Sequence, residues 1–456
     1  MQRIPNEIKE FFNVKRNSVL LVKGKPGSGK TIFSLECLIN FAEKGCGFYF
    51  STRVDPETVL TQYPQIREHV PPQNIIDATL TVFPESSNIY KAIQYSTVPE
   101  FLRELYAKLD KIKGQGTPVI VIDSIDAICE TLNVSNSKFM HTFADFARKS
   151  GAKAIVITEQ YGSTKLDYLA DGVVNLTYEM IEGRTYREMH IEKLRSVKIL
   201  NPVIPFTLNG GRYTSAQYVL HTAKEVLSKS QKYLEMSSKI QLPPGLYSTG
   251  SPSLDKVVGY ICERNLILYE FEPYVPAIAI IGLMTLHSMG FISGERKVIQ
   301  IPPSYGYSEF MFKFLKVALG DKMNNIKLLT PETDSADNFL KHLIENISEL
   351  RESGQRSAIL FSIDALENAF GKDEAFRLGA RIVAEGRKSG NVIIAFGHES
   401  AKSRVLFRDM AEKVLRVFYK HGYIFIYGIR PKTPIYNIYY DPKSRHVDII
   451  DFLEIV

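Results

Sequence analysis

Ser18-Val19-Leu20-Leu21-Val22-Lys23-Gly24-Lys25-Pro26-Gly27-Ser28-Gly29-Lys30-Thr31 is the stretch on which the fold turns. A short apolar strand runs into Gly24 to Thr31, which satisfies G-x-x-x-x-G-K-S/T, and a helical run over 32–42 follows. Strand, glycine-rich loop and helix are the context in which this motif holds phosphate. Glycines let successive backbone N–H groups curl around a β-phosphate at a helix N-terminus, whose dipole favours an anion. Gly24, Lys25, Pro26, Gly27, Ser28, Gly29, Lys30 and Thr31 are therefore the candidate nucleotide-binding residues. Lys30 reaches toward the β- and γ-phosphates in such a site, and Thr31 offers its hydroxyl to Mg²⁺.

A Mg²⁺-nucleotide site also needs a carboxylate at the end of a buried strand. The run Pro118-Val119-Ile120-Val121-Ile122-Asp123-Ser124 supplies Asp123 there, and Asp126 reads as a turn or helix-start residue. The next strand, Ala154-Ile155-Val156-Ile157-Thr158-Glu159-Gln160, ends in Gln160, placed either to sense the γ-phosphate or simply to turn the chain. Apolar runs at 19–22, 48–50, 119–122 and 154–157 alternate with amphipathic helical stretches at 32–42 and 139–147. That alternation predicts α/β architecture, a mainly parallel sheet flanked by helices.

Three short segments recur in order at a spacing of roughly 240 residues, the scale of one large domain. Ser124-Ile125-Asp126-Ala127-Ile128 returns as Ser362-Ile363-Asp364-Ala365-Leu366, Arg148-Lys149-Ser150-Gly151 as Arg387-Lys388-Ser389-Gly390, and Ala170-Asp171-Gly172-Val173-Val174 as Ala411-Glu412-Lys413-Val414-Leu415. Two copies of one fold are expected, 1–216 and 245–456. A Ser-, Lys- and Gln-rich linker over 217–244, with a helix-like run at 219–227, ends in Pro243-Pro244-Gly245.

In this order the pieces resemble the KaiC branch of the RecA-like ATPases, over nearly the whole chain. The resemblance rests on the phosphate loop, on 119–124, on Ala170-Asp171-Gly172-Val173-Val174 followed by a charged hairpin at 182–187, and on Ile191-Glu192-Lys193-Leu194-Arg195 leading to Pro205-Phe206. It implies two tandem RecA-like domains, ATP and Mg²⁺ as ligands, and a homo-oligomeric, hexameric ring. Lys193 and Arg195 match the family's Lys-x-Arg pair, which reaches a neighbour's γ-phosphate, so the resemblance gives them a trans-acting catalytic role beside Lys30 and Gln160. The alternative for the pair is a solvated edge strand of alternating charge. One departure bears on mechanism: the family carries two adjacent glutamates after its second strand, whereas Ser51-Thr52-Arg53-Val54-Asp55-Pro56-Glu57 puts Arg53 and Val54 in their places. Without a carboxylate to orient water, tight binding and weak turnover are expected, unless Asp55 or Glu57 substitutes. The same segment, with the phosphate loop, is similar to the gas-vesicle-protein-D-type regulators.

The second copy departs further. Ser248-Thr249-Gly250-Ser251-Pro252-Ser253-Leu254-Asp255 looks like a KaiC-type domain opening, and the strand Leu266-Ile267-Leu268-Tyr269 follows. Where the phosphate loop should stand, the chain reads Glu270-Phe271-Glu272-Pro273-Tyr274-Val275-Pro276, with no glycine, lysine or threonine and two acids that would repel a triphosphate. The repeat sets Phe361 opposite Asp123, Arg430 opposite Arg195 and Gly428 opposite Lys193. A pseudo-ATPase domain that presents a surface to a partner protein is expected, with no kinase activity.

Composition bounds the rest. With 456 residues, 45% hydrophobic and 23% charged, the chain is an ordinary multi-domain globular protein. Its 56 Lys+Arg against 50 Asp+Glu leave +6, too dilute to mark a nucleic-acid footprint. A RecA-like DNA recombination or repair ATPase is the competing function. Its single-strand loops need cations and aromatics, yet 130–137 has no cation and 162–167 only Lys165, near Tyr161 and Tyr168. A structural ring glued by nucleotide is a third reading. The charged N-terminus argues against a signal peptide, and the apolar stretch 277–291, preceded by Pro276, is too short for a bilayer span and reads as a buried helix, so a cytoplasmic protein without membrane contact is expected. Cys37, Cys46, Cys129 and Cys262 are widely spaced and read as buried apolar residues. His398-Glu399 reads as a cap, Lys402 to Arg408 as a half-solvated helix, and Tyr436, Ile438 and Tyr440 as one strand face or an interface.

Overall fold

The computed structural model describes residues 3–14, 17–52, 55–77, 98–160, 162–218, 242–249, 251–294, 296–303, 312–313, 315–316, 319–331, 335–352, 354–355, 357–439 and 451–456. The chain forms two compact units, Met1–Ala216 with Ile455–Val456, and Gln217–Glu454. Residues 219–241 of the expected linker, with its helix-like run, lie outside the described residues, as do Arg53, Val54, Tyr161 and Tyr440.

The first unit is built on the strands β1 (Val19–Gly24), β2 (Gly47–Ser51), β3 (Ile75–Asp77), β4 (Val119–Asp123), β5 (Lys153–Ile157), β6 (Gly172–Ile181), β7 (Arg184–Leu194), β8 (Val203–Thr207) and β9 (Thr214–Ser215). They form one nine-stranded sheet in the order β3-β2-β4-β5-β1-β6-β7-β8-β9. Pairing is parallel from β3 through β6 and antiparallel from β6 through β9. The helices are α1 (Asn6–Val14), α2 (Lys30–Phe41), α3 (Pro56–Gln62), α4 (Val98–Lys111), α5 (Ile125–Thr131), α6 (Asn136–Ser150) and α7 (Lys165–Leu169). Every residue of β1 is buried, as strands covered on both faces require. Helix α6 starts where Ser135 accepts from the Lys138 N–H and stops at Gly151 in the left-handed region, the usual pair of chemical punctuation marks. The β6–β7 hairpin turns at Glu182 and Gly183, both at positive φ.

The second unit repeats this plan. Its strands are β10 (Leu246–Tyr247), β11 (Ile261–Cys262), β12 (Leu266–Phe271), β13 (Lys297–Ile301), β14 (Ile326–Leu328), β15 (Ser357–Ser362), β16 (Val392–His398), β17 (Lys413–Lys420), β18 (Tyr423–Arg430), β19 (Ile435–Tyr439) and β20 (Asp451–Ile455). β10 pairs with β11, and the other nine form a sheet in the order β14-β13-β15-β16-β12-β17-β18-β19-β20. With β12 in the place of β1, this is the first unit's order strand for strand. The apolar stretch 277–291 is a core helix, Ala277–Ser293. Among the described residues no helix is long and apolar enough to cross a membrane.

The repeats found in sequence do the same structural work in both units. In the first, buried Asp171 accepts from the Val19 N–H (3.2 Å) and faces Arg148 (3.5 Å). In the second, Glu412 accepts from the Leu266 N–H (2.6 Å) and from Arg387 (2.7 Å). Each acid therefore ties the start of the central strand to an arginine on the preceding long helix.

Sheet register also corrects three expectations. β4 pairs Ile122 with Val156, and β15 pairs Phe361 with Ala395, so Phe361 stands opposite Ile122 and Ser362 takes the place of Asp123. The helix after the strand keeps Ser362 in the N-cap role that Ser124 has, so the residue lost between strand and helix is the carboxylate itself. Both hairpins carry an irregularity at the same point: Val173 pairs with Lys193 and Val414 with Arg430. Arg430 is thus the counterpart of Lys193, not of Arg195, and Gly428 that of Ile191, not of Lys193. Cys262, unlike the other three cysteines, is exposed.

Candidate functional site

β1 ends at Gly24 and α2 begins at Lys30, so the loop between them opens directly onto a helix N-terminus. Gly24 is sterically required, since a Cβ there would lie 2.5 Å from the Leu176 carbonyl oxygen, whereas one on Gly29 would press at 2.8 Å on the movable end of the Leu208 side chain. Gly27 (φ 77°) and Gly29 (φ 96°) are in the left-handed region that a curled anion cradle demands. Lys25, Pro26 and Gly27 form the exposed crest. Lys30 is buried, and its Nζ donates to the carbonyls of Gly24 (2.6 Å) and Lys25 (3.0 Å). The ammonium therefore sits inside the loop that would wrap a phosphate. The Ser28 hydroxyl, in the same loop, is buried with no hydrogen-bond partner among the described residues.

Thr31 opens α2, and its hydroxyl donates to Asp123 Oδ2 at 2.6 Å. The Tyr49 hydroxyl donates to the same oxygen at 2.9 Å. Burial, then the Asp123 charge, push the Tyr49 phenol well above its ordinary range, so it remains a donor. Thr52 fixes the backbone beneath: its N–H and hydroxyl both donate to the Asp123 carbonyl (2.8 Å each), and the hydroxyl accepts from the Ser124 N–H at 2.9 Å. A hydroxyl and a carboxylate within one hydrogen bond, beside a phosphate cradle, are the hard oxygen donors that Mg²⁺ takes from a protein when phosphate oxygens and water complete its shell. Thr31 and Asp123 fit that ion. Tyr49 is missed by motif reading, although a phenol in an otherwise apolar buried strand needs a polar partner.

Gln160 is exposed, and its N–H donates to the Thr158 hydroxyl at 3.2 Å. Asp126 does more than turn the chain. Its carboxylate accepts from the Glu159 N–H (2.8 Å), the Thr158 hydroxyl (3.2 Å) and Asn136 Nδ2 (2.7 Å), which anchors the strand end that presents Gln160. Asp364 makes the equivalent bond to the His398 N–H in the second unit (2.9 Å). Asp55 is the N-cap of α3, accepting from the Thr58 N–H (2.9 Å) and hydroxyl (2.6 Å). Those bonds hold its carboxyl below the usual range. Glu57 lies exposed in the first turn of α3.

Lys193 and Arg195 part company. Lys193 Nζ donates to the carbonyls of Asp167 (2.8 Å) and Ala170 (2.7 Å), closing the C-terminal end of α7. Burial and the nearby Arg195 charge lower its pKa. Arg430 donates to the carbonyls of Arg408 (3.5 Å) and Ala411 (2.7 Å), the same two places in the second unit. A cap kept where no phosphate loop exists belongs to the fold. Arg195 is 51% exposed and makes one long contact, 3.4 Å, to Asp171.

In the second unit Glu270 is not part of a repelling loop. It lies within β12, fully buried, and Arg408 (2.7 Å), Arg416 (3.2 Å) and Arg404 (3.4 Å) converge on its carboxylate. The helix Arg404–Met410 is half solvated as expected, with Val405, Leu406 and Asp409 exposed, but Arg404 and Arg408 turn toward Glu270 and not toward solvent. The segment after β12 turns back on itself through the Val275 N–H to the Glu272 carbonyl (3.3 Å) and carries exposed Tyr274 at φ 68°.

Residues 8–192 match the family model described as GvpD gas vesicle protein, P-loop domain. Protein GvpD2 and Protein GvpD1 of Halobacterium salinarum are 26% identical over 324 residues and 27% identical over 354 residues. The two alignments cover 69% and 74% of this chain and 64% of each relative, so the chain spans less than two thirds of the length of those proteins. A UPF0273 protein of Aeropyrum pernix is 24% identical over 202 residues, covering 41% of this chain and 81% of that protein.

Proposed function

Because the chain is a RecA-superfamily P-loop protein close to GvpD, we propose that its first unit binds ATP with Mg²⁺ and turns it over slowly, as a nucleotide-gated regulator. The observation that carries this reading is the Thr31 hydroxyl on the Asp123 carboxylate at 2.6 Å, beside a glycine loop already filled by the Lys30 ammonium. Phosphate oxygens would replace the Gly24 and Lys25 carbonyls as partners of Lys30, and Mg²⁺ held by Thr31 and Asp123 would supply charge neutralisation. Gln160 senses the γ-phosphate from a strand end that Asp126 holds. Slow turnover follows from the missing glutamate pair and from the capping role of Asp55, both of whose carboxylate oxygens are engaged by Thr58. Arg195, half-exposed and weakly held, is the residue able to reach a neighbouring subunit in a ring. The second unit, a pseudo-ATPase over 245–456, presents its surface to a protein partner.

The test measures Mg-ATP affinity, turnover and assembly size together for the wild type, Lys30→Ala and Arg195→Ala. Lys30→Ala is expected to lose binding by about a hundredfold or more, since it removes a charge-assisted contact to two phosphates. Wild-type turnover is expected below about 1 s⁻¹, under the range of ordinary enzymes. Unchanged binding by Lys30→Ala overturns the site. A motor-like rate overturns slow turnover, and unaltered assembly and affinity in Arg195→Ala overturn the inter-subunit role.

A further inference from the structure

Lys23, the residue before Gly24, is 1% exposed. Its Nζ donates to the carbonyl of Gly162 at 2.8 Å, lies 2.6 Å from Glu192 Oε2 and reaches Asp167 Oδ2 at 3.3 Å. All three donors of the ammonium are engaged, on three different segments. Gly162 belongs to the loop that begins at Gln160. Asp167 sits in α7 and accepts from the Thr164 N–H (3.1 Å) and hydroxyl (3.0 Å) at the helix start. Glu192 precedes Lys193 on the strand that leads to Arg195. One buried side chain at the root of the phosphate loop thus holds the Gln160 loop, α7 and the β7 end together.

The second unit separates the parts of this arrangement. β1 pairs Lys23 with Asn175, and β12 pairs Glu270 with Arg416, which puts Glu270 in the place of Lys23. Arg408, whose carbonyl takes the Arg430 cap as that of Asp167 takes the Lys193 cap, bonds to Glu270. The strand-to-helix ion pair is therefore kept with its polarity reversed. A carboxylate on the strand cannot donate to a loop carbonyl, so the tie to Gly162 is specific to the unit that carries the phosphate loop.

We propose that Lys23 is a positioning residue that ties the loop from Gln160 to the root of the phosphate loop, and so sets how well the site distinguishes a nucleoside triphosphate from a diphosphate. This rests on the nucleotide reading of residues 24–31. A γ-phosphate contacting Gln160 does useful work only if the loop behind Gln160 is held in place, whereas a diphosphate does not reach it.

The experiment compares wild type, Lys23→Met, Lys23→Arg and, in a Glu192→Ile background that removes the carboxylate beside Lys23 as Ile429 does in the second unit, the double variant Lys23→Glu/Asp167→Arg, which installs the polarity of the second unit. Three quantities are read: thermal stability, amide exchange at 162–164 without nucleotide, and Mg-ATP against Mg-ADP affinity. Lys23→Met is expected to lower stability and speed exchange at 162–164. The double variant is expected to recover stability while the ATP-to-ADP affinity ratio falls by about tenfold, the scale of a typical coupling between sites, with ADP affinity unchanged. Lys23→Arg, keeping charge and donors, retains the wild-type ratio. Wild-type exchange at 162–164 in Lys23→Met overturns the tie, and a wild-type ratio in the double variant shows that the ion pair alone suffices. If the wild type binds neither nucleotide, the reading of the loop fails, and the exchange measurement still decides the tie.

Discussion

Replacing Lys193 by Met and Arg195 by Ala tests whether each residue serves the fold or the proposed assembly. Lys193 makes two hydrogen bonds from a charged donor to helix-end carbonyls, at 2.8 and 2.7 Å. Such bonds contribute about 1.5 kcal/mol each at the low end of their range, the appropriate end for a partly exposed side chain. Lys193→Met should therefore cost about 2–3 kcal/mol, which in a unit of this size lowers the melting temperature by about 5–10 °C. Arg195 is half exposed with a 3.4 Å contact, and an exposed ion pair contributes about 0–1 kcal/mol. Its removal should leave the melting temperature within about 2 °C while changing assembly size or nucleotide affinity. Calorimetry of the full chain reads the first quantity, with the first unit identified as the transition raised by Mg-ATP, and light scattering reads the second. Arg430→Met should lower the other transition by a similar amount. A Lys193→Met protein that melts like the wild type but has lost turnover refutes the reasoning, because it makes Lys193 a finger after all.

Three other perturbations follow from the geometry. His287, fully buried with its Nε2 on the Tyr269 hydroxyl and its Nδ1 without a partner among the described residues, has its pKa lowered to about 3 by burial. The unfolded chain takes up the proton near pH 6.5 and the folded one does not, so stability present above pH 6.5 is lost as pH falls below it. Between pH 7.0 and 5.5 this costs about 1.3 kcal/mol, and chemical denaturation of His287→Gln should show that much less acid sensitivity. Glu270→Gln leaves three arginines around a buried neutral amide and should destabilise the second unit by about 3 kcal/mol or more; an unchanged denaturation midpoint would contradict it. Asp126→Ala removes the acceptor for the Glu159 N–H, the Thr158 hydroxyl and Asn136. It should cost about 1–3 kcal/mol and accelerate amide exchange at 159–160, and native exchange there would deny Asp126 its anchoring role.

The parallel sheets and the phosphate loop are legible in the sequence because their causes are local. A strand buried on both faces is a continuous apolar run, and a cradle with left-handed backbone needs glycine at fixed places. The carboxylate on Thr31 is legible for the same reason, since Asp123 ends such a run. Contacts across long separations are not legible. Nothing near Glu270 in the chain announces the arginines at 404, 408 and 416, and the apolar neighbours of Tyr49 hide its bond to Asp123. Counterparts assigned from short helix-start motifs go astray by one residue in the strand, where they set Phe361 against Asp123, and by two in the hairpin, where they match Arg430 with Arg195. Between strand and helix the second unit is shorter by one residue, and between the paired hairpin positions, 173 to 193 against 414 to 430, it is shorter by four; only hydrogen-bond register reveals where each difference falls.

Duplication supplies an internal control for assigning roles. Asp171 and Glu412, Arg148 and Arg387, Asp126 and Asp364, and Lys193 and Arg430 make matching contacts in a unit with a phosphate loop and in one without. Contacts that outlast the loss of the loop answer to the demands of the sheet. The glycine cradle, Lys30, Thr31 and the Asp123 carboxylate occur only in the first unit and answer to chemistry. By that criterion the family-like pair splits: Lys193, on β7, falls with the fold, and of the two only Arg195, just beyond the strand, is left for the proposed trans-acting role. Lys23 falls on both sides, since its pairing with α7 is duplicated in reverse polarity while its bond to Gly162 is not. Its bond to Gly162 is therefore the one contact among these in which the architecture of the duplicated fold and the demands of the phosphate site are joined in a single side chain.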